Sequence, residues 1–133
     1  MTKIFVNGTF DVVHYGHIKL LEYARSFSES YVYVMIDSDS RTKKLKGSFR
    51  PINSQEKRKF FLESIRYIDR VEIFDTDNEL IDGIKNFQPD IMIKGSDYRN
   101  KDILGQEFCK KIEFYERTEH SSTNIIQRSL IGR

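Results

Sequence analysis

Apolar runs of strand length alternate with amphipathic runs of helix length along this chain. Lys3–Asn7 is a β-type run, and His17–Phe27 follows with Leu20, Leu21 and Ala24 on one helical face. Tyr31–Ile36, YVYVMI, is a near-continuous apolar strand, as expected of a parallel sheet covered on both faces. Ser54–Arg66 predicts a helix with Ser54 as N-cap, Lys57 at the third position, and a stripe of Phe61, Leu62 and Ile65. Val71–Phe74 reads as a short strand, Asn78–Phe87 as a helix ended by Pro89, and Ile91–Lys94 as a strand. Asp102–Lys110 predicts a helix, Ile112–Tyr115 a strand and Thr123–Ile131 a final helix. This alternation predicts an α/β fold: a doubly wound, mostly parallel five-stranded sheet with right-handed crossovers.

At 133 residues the chain is expected to form one domain, 1–133, large enough to bury a core. An open sheet of this Rossmann-like kind binds ligands beyond the carboxyl ends of its strands. The strand-to-helix turns are therefore the places to search: Gly8–His17, Asp37–Lys46, Lys94–Tyr98 and Arg117–Asn124.

Composition narrows the class. Hydrophobic residues make up 38% and charged residues 32%, the balance of an ordinary globular protein. The net charge of +2, from 22 basic and 20 acidic residues, argues against a nucleic-acid partner. A lone Cys109 excludes an internal disulfide and fits a reducing compartment. The N-terminus carries no signal-peptide pattern, and no apolar run approaches the roughly 20 residues of a membrane span. The expectation is a soluble cytoplasmic protein without a membrane partner.

The first turn carries the most chemistry. Gly8-Thr9-Phe10-Asp11 leads into His14 and His17, which share a face if both lie in the first helical turn, with Gly16 leaving room between them. A helix N-terminus offers free N–H groups to phosphate, and imidazoles there can donate as well. A metal site is the rival: two histidines three apart, with Asp11 as third ligand. The phosphate reading is preferred, and no protein-held metal is expected. The P-loop pattern and Gly-x-Gly-x-x-Gly are both absent. In the second turn, Lys46 beside Gly47 is the lysine expected to meet a phosphate. In the last turn, Arg117 and the hydroxyls of Ser121, Ser122 and Thr123 form a second candidate cradle.

With these turns together, the chain resembles the cytidylyltransferase-like nucleotidyltransferases over nearly its whole length. GTFDVVHYGHIKLL matches the HxGH signature, and Arg117-Thr118-Glu119 with Ser121-Ser122-Thr123 resembles the second signature, RTEGISTT. The chain departs from that pattern at His120, Ser121 and Asn124. Arg66-Tyr67-Ile68-Asp69 and Arg117-Thr118-Glu119 resemble glycerol-3-phosphate cytidylyltransferase. Leu45-Lys46-Gly47, Arg50-Pro51-Ile52-Asn53, Lys94-Gly95-Ser96-Asp97-Tyr98 and Thr123-Asn124-Ile125-Ile126 are more similar to the nucleotidyltransferase domain of heptose-phosphate enzymes, which make ADP-heptose.

The resemblance implies transfer of a nucleotidyl group to a phosphorylated alcohol or sugar, with release of pyrophosphate. It implies catalysis by His14, His17, Lys46 and Arg117. Nucleotide contacts are implied at Gly8, Thr9, Phe10, Gly16, Lys94, Gly95, Asp97, Tyr98, Ser122 and Thr123, with the base over the Lys94–Tyr98 turn. Asp11, Arg66 and Asp69 are expected on the substrate side, although a structural ion pair would also explain Arg66 and Asp69. Mg²⁺ would arrive with the nucleotide. CTP is the expected nucleotide, ATP with a heptose 1-phosphate the alternative, and a non-catalytic nucleotide-binding domain a third reading. The family suggests a homodimer.

Overall fold

The computed structural model describes residues 1–116. Five strands, β1 (Thr2–Gly8), β2 (Ser30–Asp37), β3 (Arg70–Phe74), β4 (Ile91–Gly95) and β5 (Lys111–Tyr115), form one parallel sheet in the order β3-β2-β1-β4-β5. Four α-helices, α1 (Tyr15–Arg25), α2 (Asp39–Lys46), α3 (Gln55–Glu63) and α4 (Asp77–Phe87), occupy the connections. β1 pairs along its whole length with β2, from Thr2 against Ser30 to Gly8 against Ile36. Strand order reverses between β1 and β4, which creates a crevice at their carboxyl ends.

The sheet is buried on both faces, as its unbroken apolar strands require. On one face Ile4, Val6, Val32, Val34 and Ile36 pack with Leu21 and Ala24 of α1 and Leu62 of α3. On the other, Phe5, Tyr33, Met35 and Met92 pack with Leu80 and Ile84 of α4. The α/β architecture expected from the alternation is the one observed.

Three segments differ from the sequence reading. Asp39–Lys46 is a helix within the expected turn. It has no apolar stripe, and only Thr42 is buried. Its support is local: Ser38 Oγ accepts from Arg41 N–H, Asp39 occupies the first turn, and Lys43, Lys44 and Lys46 occupy the last. Periodicity cannot reveal such a helix. Asp102–Lys110 forms only a single 3₁₀ turn, Gln106–Phe108, because Gly105 adopts a left-handed φ of 77° directly before it. Helix α3 ends at Glu63, with Phe61 turned 44% exposed; the inward position next to Leu62 on the helical repeat is taken by Arg58, which is fully buried. The predicted helix Thr123–Ile131 lies outside the described residues.

Candidate active site

The carboxyl ends of β1, β2 and β4 open into a cleft of about 570 Å³, whose walls mix charged groups with aromatic and aliphatic ones. The turn after β1 is built first. Phe10 is buried and adopts a left-handed φ of 51°, a conformation that costs a residue with a Cβ about 1–2 kcal/mol. That bend lays the Phe10 ring 5.0 Å from the His17 ring, and a Cβ on Gly8 would come within 3.2 Å of it.

His14 is the N-cap of α1. Its Nδ1 accepts from Gly16 N–H at 3.1 Å, while His17 Nδ1 accepts from His14 N–H at 3.2 Å. The two imidazoles reproduce a capping box, in which cap and third residue satisfy each other's backbone donors. Their rings stack with centroids 3.9 Å apart. Because each Nδ1 is an acceptor, each neutral ring carries its proton on Nε2. Both histidines line the cleft.

Charged groups surround them. Asp37, at the end of β2, accepts from Thr9 Oγ1 at 2.8 Å and from Arg41 Nε at 2.9 Å. The proton of Thr9 is therefore given to Asp37 and not to a phosphate. Lys94, at the end of β4, donates from Nζ to Asn7 Oδ1 at 2.9 Å and lies 4.8 Å from the centre of the Tyr98 ring. Burial pushes Lys94 down to about 8, against the opposing pull of Asp37 and Asp97. Lys46 reaches the rim from the end of α2, and Gly95 and Tyr98 line the far wall. Asp97 is exposed on the 3₁₀ turn Ser96–Tyr98, outside the lining.

Asp11 requires a correction. Its Oδ2 accepts from Arg50 Nε at 2.7 Å and Ile52 N–H at 2.8 Å, and its Oδ1 from Asn53 N–H at 2.9 Å. Burial would raise this carboxyl, but those donors outweigh it and hold it below the ordinary aspartate value. Asp11 is thus a strut that ties the α2–α3 loop to the first turn, and its carboxylate is not offered to a histidine or a metal.

Arg66 and Asp69 are corrected as well. Asp69 lies before the amino end of β3, where its Oδ2 accepts from Val32 N–H at 2.8 Å and pairs with Arg25 at 2.6 Å. Arg66 is exposed and donates to the Tyr67 hydroxyl at 3.3 Å. Neither lines the cleft. The physical reason is topological: in a parallel sheet, a segment that leads into a strand lies at the end remote from the carboxyl ends.

Sequence reasoning missed Asn7, Asp37, Arg41, Arg50 and Arg58. The most telling is Arg58, which donates to the carbonyls of Thr9 at 2.9 Å, Asp37 at 2.8 Å and Asn53 at 3.0 Å, and to Asp39 Oδ1 at 2.8 Å. It joins the ends of β1 and β2 from below. An arginine four residues before Leu62, on the apolar face of α3, was the available signal. Arg117, Ser122 and Thr123, and His120 with them, lie outside the described residues. Among the described residues no three His, Cys, Asp or Glu side chains gather into a metal cage, and no helix is long and apolar enough to cross a membrane.

Comparison with known proteins agrees with this geometry. The family model described as cytidylyltransferase-like matches residues 5–128. The "Bifunctional protein HldE" of Campylobacter fetus subsp. fetus is 40% identical over 128 residues, which are 96% of this chain and 28% of that protein. Its counterpart in Campylobacter jejuni subsp. doylei is 42% identical over 123 residues, 92% of this chain and 26% of that protein. The chain thus spans about a quarter of the length of these curated relatives. The crystal structure of the lipopolysaccharide core biosynthesis protein from Thermoplasma volcanium GSS1 matches with a TM-score of 0.70 at 22% identity, over 87% of this chain and 98% of that one. At that identity the likeness speaks for the fold. The match of the family model over most of the sequence, together with relatives at 40% identity or more, shows that the chain belongs to the cytidylyltransferase-like family.

Proposed function

We propose that this chain transfers an adenylyl group from ATP to a sugar phosphate of the heptose 1-phosphate class, releasing pyrophosphate. The observation that carries nucleotidyl transfer is the stacked His14–His17 pair in the cleft wall at the start of α1, whose Nδ1 atoms accept from backbone N–H groups and so make Nε2 the donor nitrogen of each neutral ring. The choice of ATP and a sugar phosphate draws on the heptose-type segments of the sequence and on the HldE relatives.

In this reading an oxygen of the acceptor phosphate attacks the α-phosphorus in line with the leaving group. A new P–O bond forms, the bond to the α,β-bridging oxygen breaks, and its electron pair leaves with pyrophosphate. The acceptor phosphate is already ionised, so no strong general base is needed, and positioning with charge neutralisation carries the rate. His14 and His17 donate to the α-phosphate and bridging oxygens, where charge develops. Lys46 and Lys94 supply positive charge from opposite sides, and the base lies over the Gly95–Tyr98 turn. Arg117, Ser122 and Thr123 are assigned to the β- and γ-phosphates by the sequence motif alone. The buried acids of the cleft, Asp11 and Asp37, are bound to arginines. That suits Mg²⁺ carried in on the nucleotide's own phosphates, where it would add neutralising charge.

A matrix of nucleoside triphosphates against phosphorylated acceptors, scored by pyrophosphate release, tests the proposal. ATP with a heptose 1-phosphate is expected to give the highest kcat/KM. The CTP reading drew on Arg117-Thr118-Glu119 and on Arg66 to Asp69, and the latter pair lies away from the cleft. Faster release with CTP and glycerol 3-phosphate would restore it, and release with no acceptor would favour a non-catalytic nucleotide-binding domain.

A further inference from the structure

We propose that Asp37 reads hydroxyl groups of the acceptor sugar and so determines acceptor specificity; this rests on the sugar-phosphate reading above. Asp37 ends β2 in the wall of the cleft, with its side chain 11% exposed. Its carboxylate is held from two sides, Oδ2 by Thr9 Oγ1 at 2.8 Å and Oδ1 by Arg41 Nε at 2.9 Å. A carboxylate offers about four acceptor positions, so two donors fix its orientation without exhausting it.

A buried carboxylate, even one paired with Arg41, offers no attraction to the phosphates of two anionic substrates. What it can bind is a neutral donor, and the hydroxyls of a sugar are such donors. Asp11, the other buried acid there, is taken up by Arg50, Ile52 and Asn53. Lys94 on β4 faces Asp37 electrostatically, yet its Nζ donates to Asn7, so it balances the charge of Asp37 without capping its oxygens.

The ribose of the nucleotide also carries hydroxyls. Strand order separates the two: β2 lies on one side of β1, whereas β4 and the turn proposed to hold the base lie on the other. The β2 side is left for the acceptor.

The test is Asp37→Asn, assayed with heptose 1-phosphate and its single-deoxy analogues, and separately with ATP against 2′-deoxy-ATP. The natural protein is expected to discriminate against at least one deoxy acceptor by about 10- to 100-fold, the range of a charge-assisted hydrogen bond. In Asp37→Asn that ratio should collapse to within about threefold of unity, with the ATP to 2′-deoxy-ATP ratio unmoved. An equal loss for every acceptor would reduce Asp37 to a structural partner of Arg41 and overturn the proposal. A changed nucleotide ratio would overturn it in favour of a ribose contact. If Asp37→Asn does not fold, Thr9→Val, which frees Oδ2, must erode the same discrimination, and an unaltered ratio would again overturn it. Failure of the unmodified protein with every sugar phosphate, alongside turnover of glycerol 3-phosphate, would instead defeat the sugar-phosphate reading itself.

Discussion

Arg50 donates from Nε to Asp11 Oδ2 at 2.7 Å, across 39 positions of sequence, with the Asp11 side chain wholly buried and that of Arg50 11% exposed. This pair fastens the α2–α3 loop to the turn that carries both histidines. Removing one partner leaves the other as an uncompensated buried charge, which typically costs about 3–5 kcal/mol. Asp11→Ala is accordingly expected to lower the urea midpoint strongly with little change in slope; a shift under about 1 kcal/mol would show the pair to be incidental.

Acid should act through the same carboxyl. The folded value of Asp11 lies below the ordinary aspartate value of 3.8. Its contribution to stability is therefore fully present above that unfolded value and is lost as pH falls through the lower folded one. Unfolding curves from pH 6 to pH 2, run on the natural protein and on Asp11→Asn, should converge toward acid, and parallel curves would contradict the assignment.

The histidine pair yields a kinetic prediction. His17→Ala removes one donor to the developing charge and should reduce kcat by about 10²- to 10³-fold. It also empties half of a capping box, so a stability loss of about 1 kcal/mol should accompany it. Near-normal turnover in a folded variant would remove His17 from the mechanism.

Lys94 predicts an alkaline limb. Burial lowers it from 10.5 to about 8, and only the ammonium form attracts an anionic substrate. On the free protein, kcat/KM should decline as pH rises through that value, and the decline should be missing from the residual activity of Lys94→Met. A pH profile of Lys94→Met that superimposes on the natural one would assign the limb elsewhere.

Gly105 tests the connection that is not a helix. Its φ is 77°, and a Cβ there would lie 2.6 Å from Ile84 Cδ1. Gly105→Ala should cost about 2–3 kcal/mol by combining backbone strain with overpacking. Ile84→Val in the same chain should recover part of that loss in chemical denaturation; an additive loss would mean that contact with Ile84 is not the cause.

The sequence by itself determined the alternation of strands and helices, the parallel sheet and the turns worth searching. These follow from period and apolar content, which neighbours along the chain impose on one another. It also brought His14 and His17 together, because a cap and its third residue interact within a single turn. What only the tertiary structure decided was which charges meet. Asp11 with Arg50, Asp37 with Thr9, Lys94 with Asn7, and Arg58 with the ends of two strands all join residues 28 to 87 positions apart, apart from the links of Arg58 to Asp37 at 21 and to its own neighbours. Hydrogen bonds of that reach depend on strand order and register. For the same reason Arg66 and Asp69, which resemble site residues in the linear pattern, lie at the remote end of the sheet.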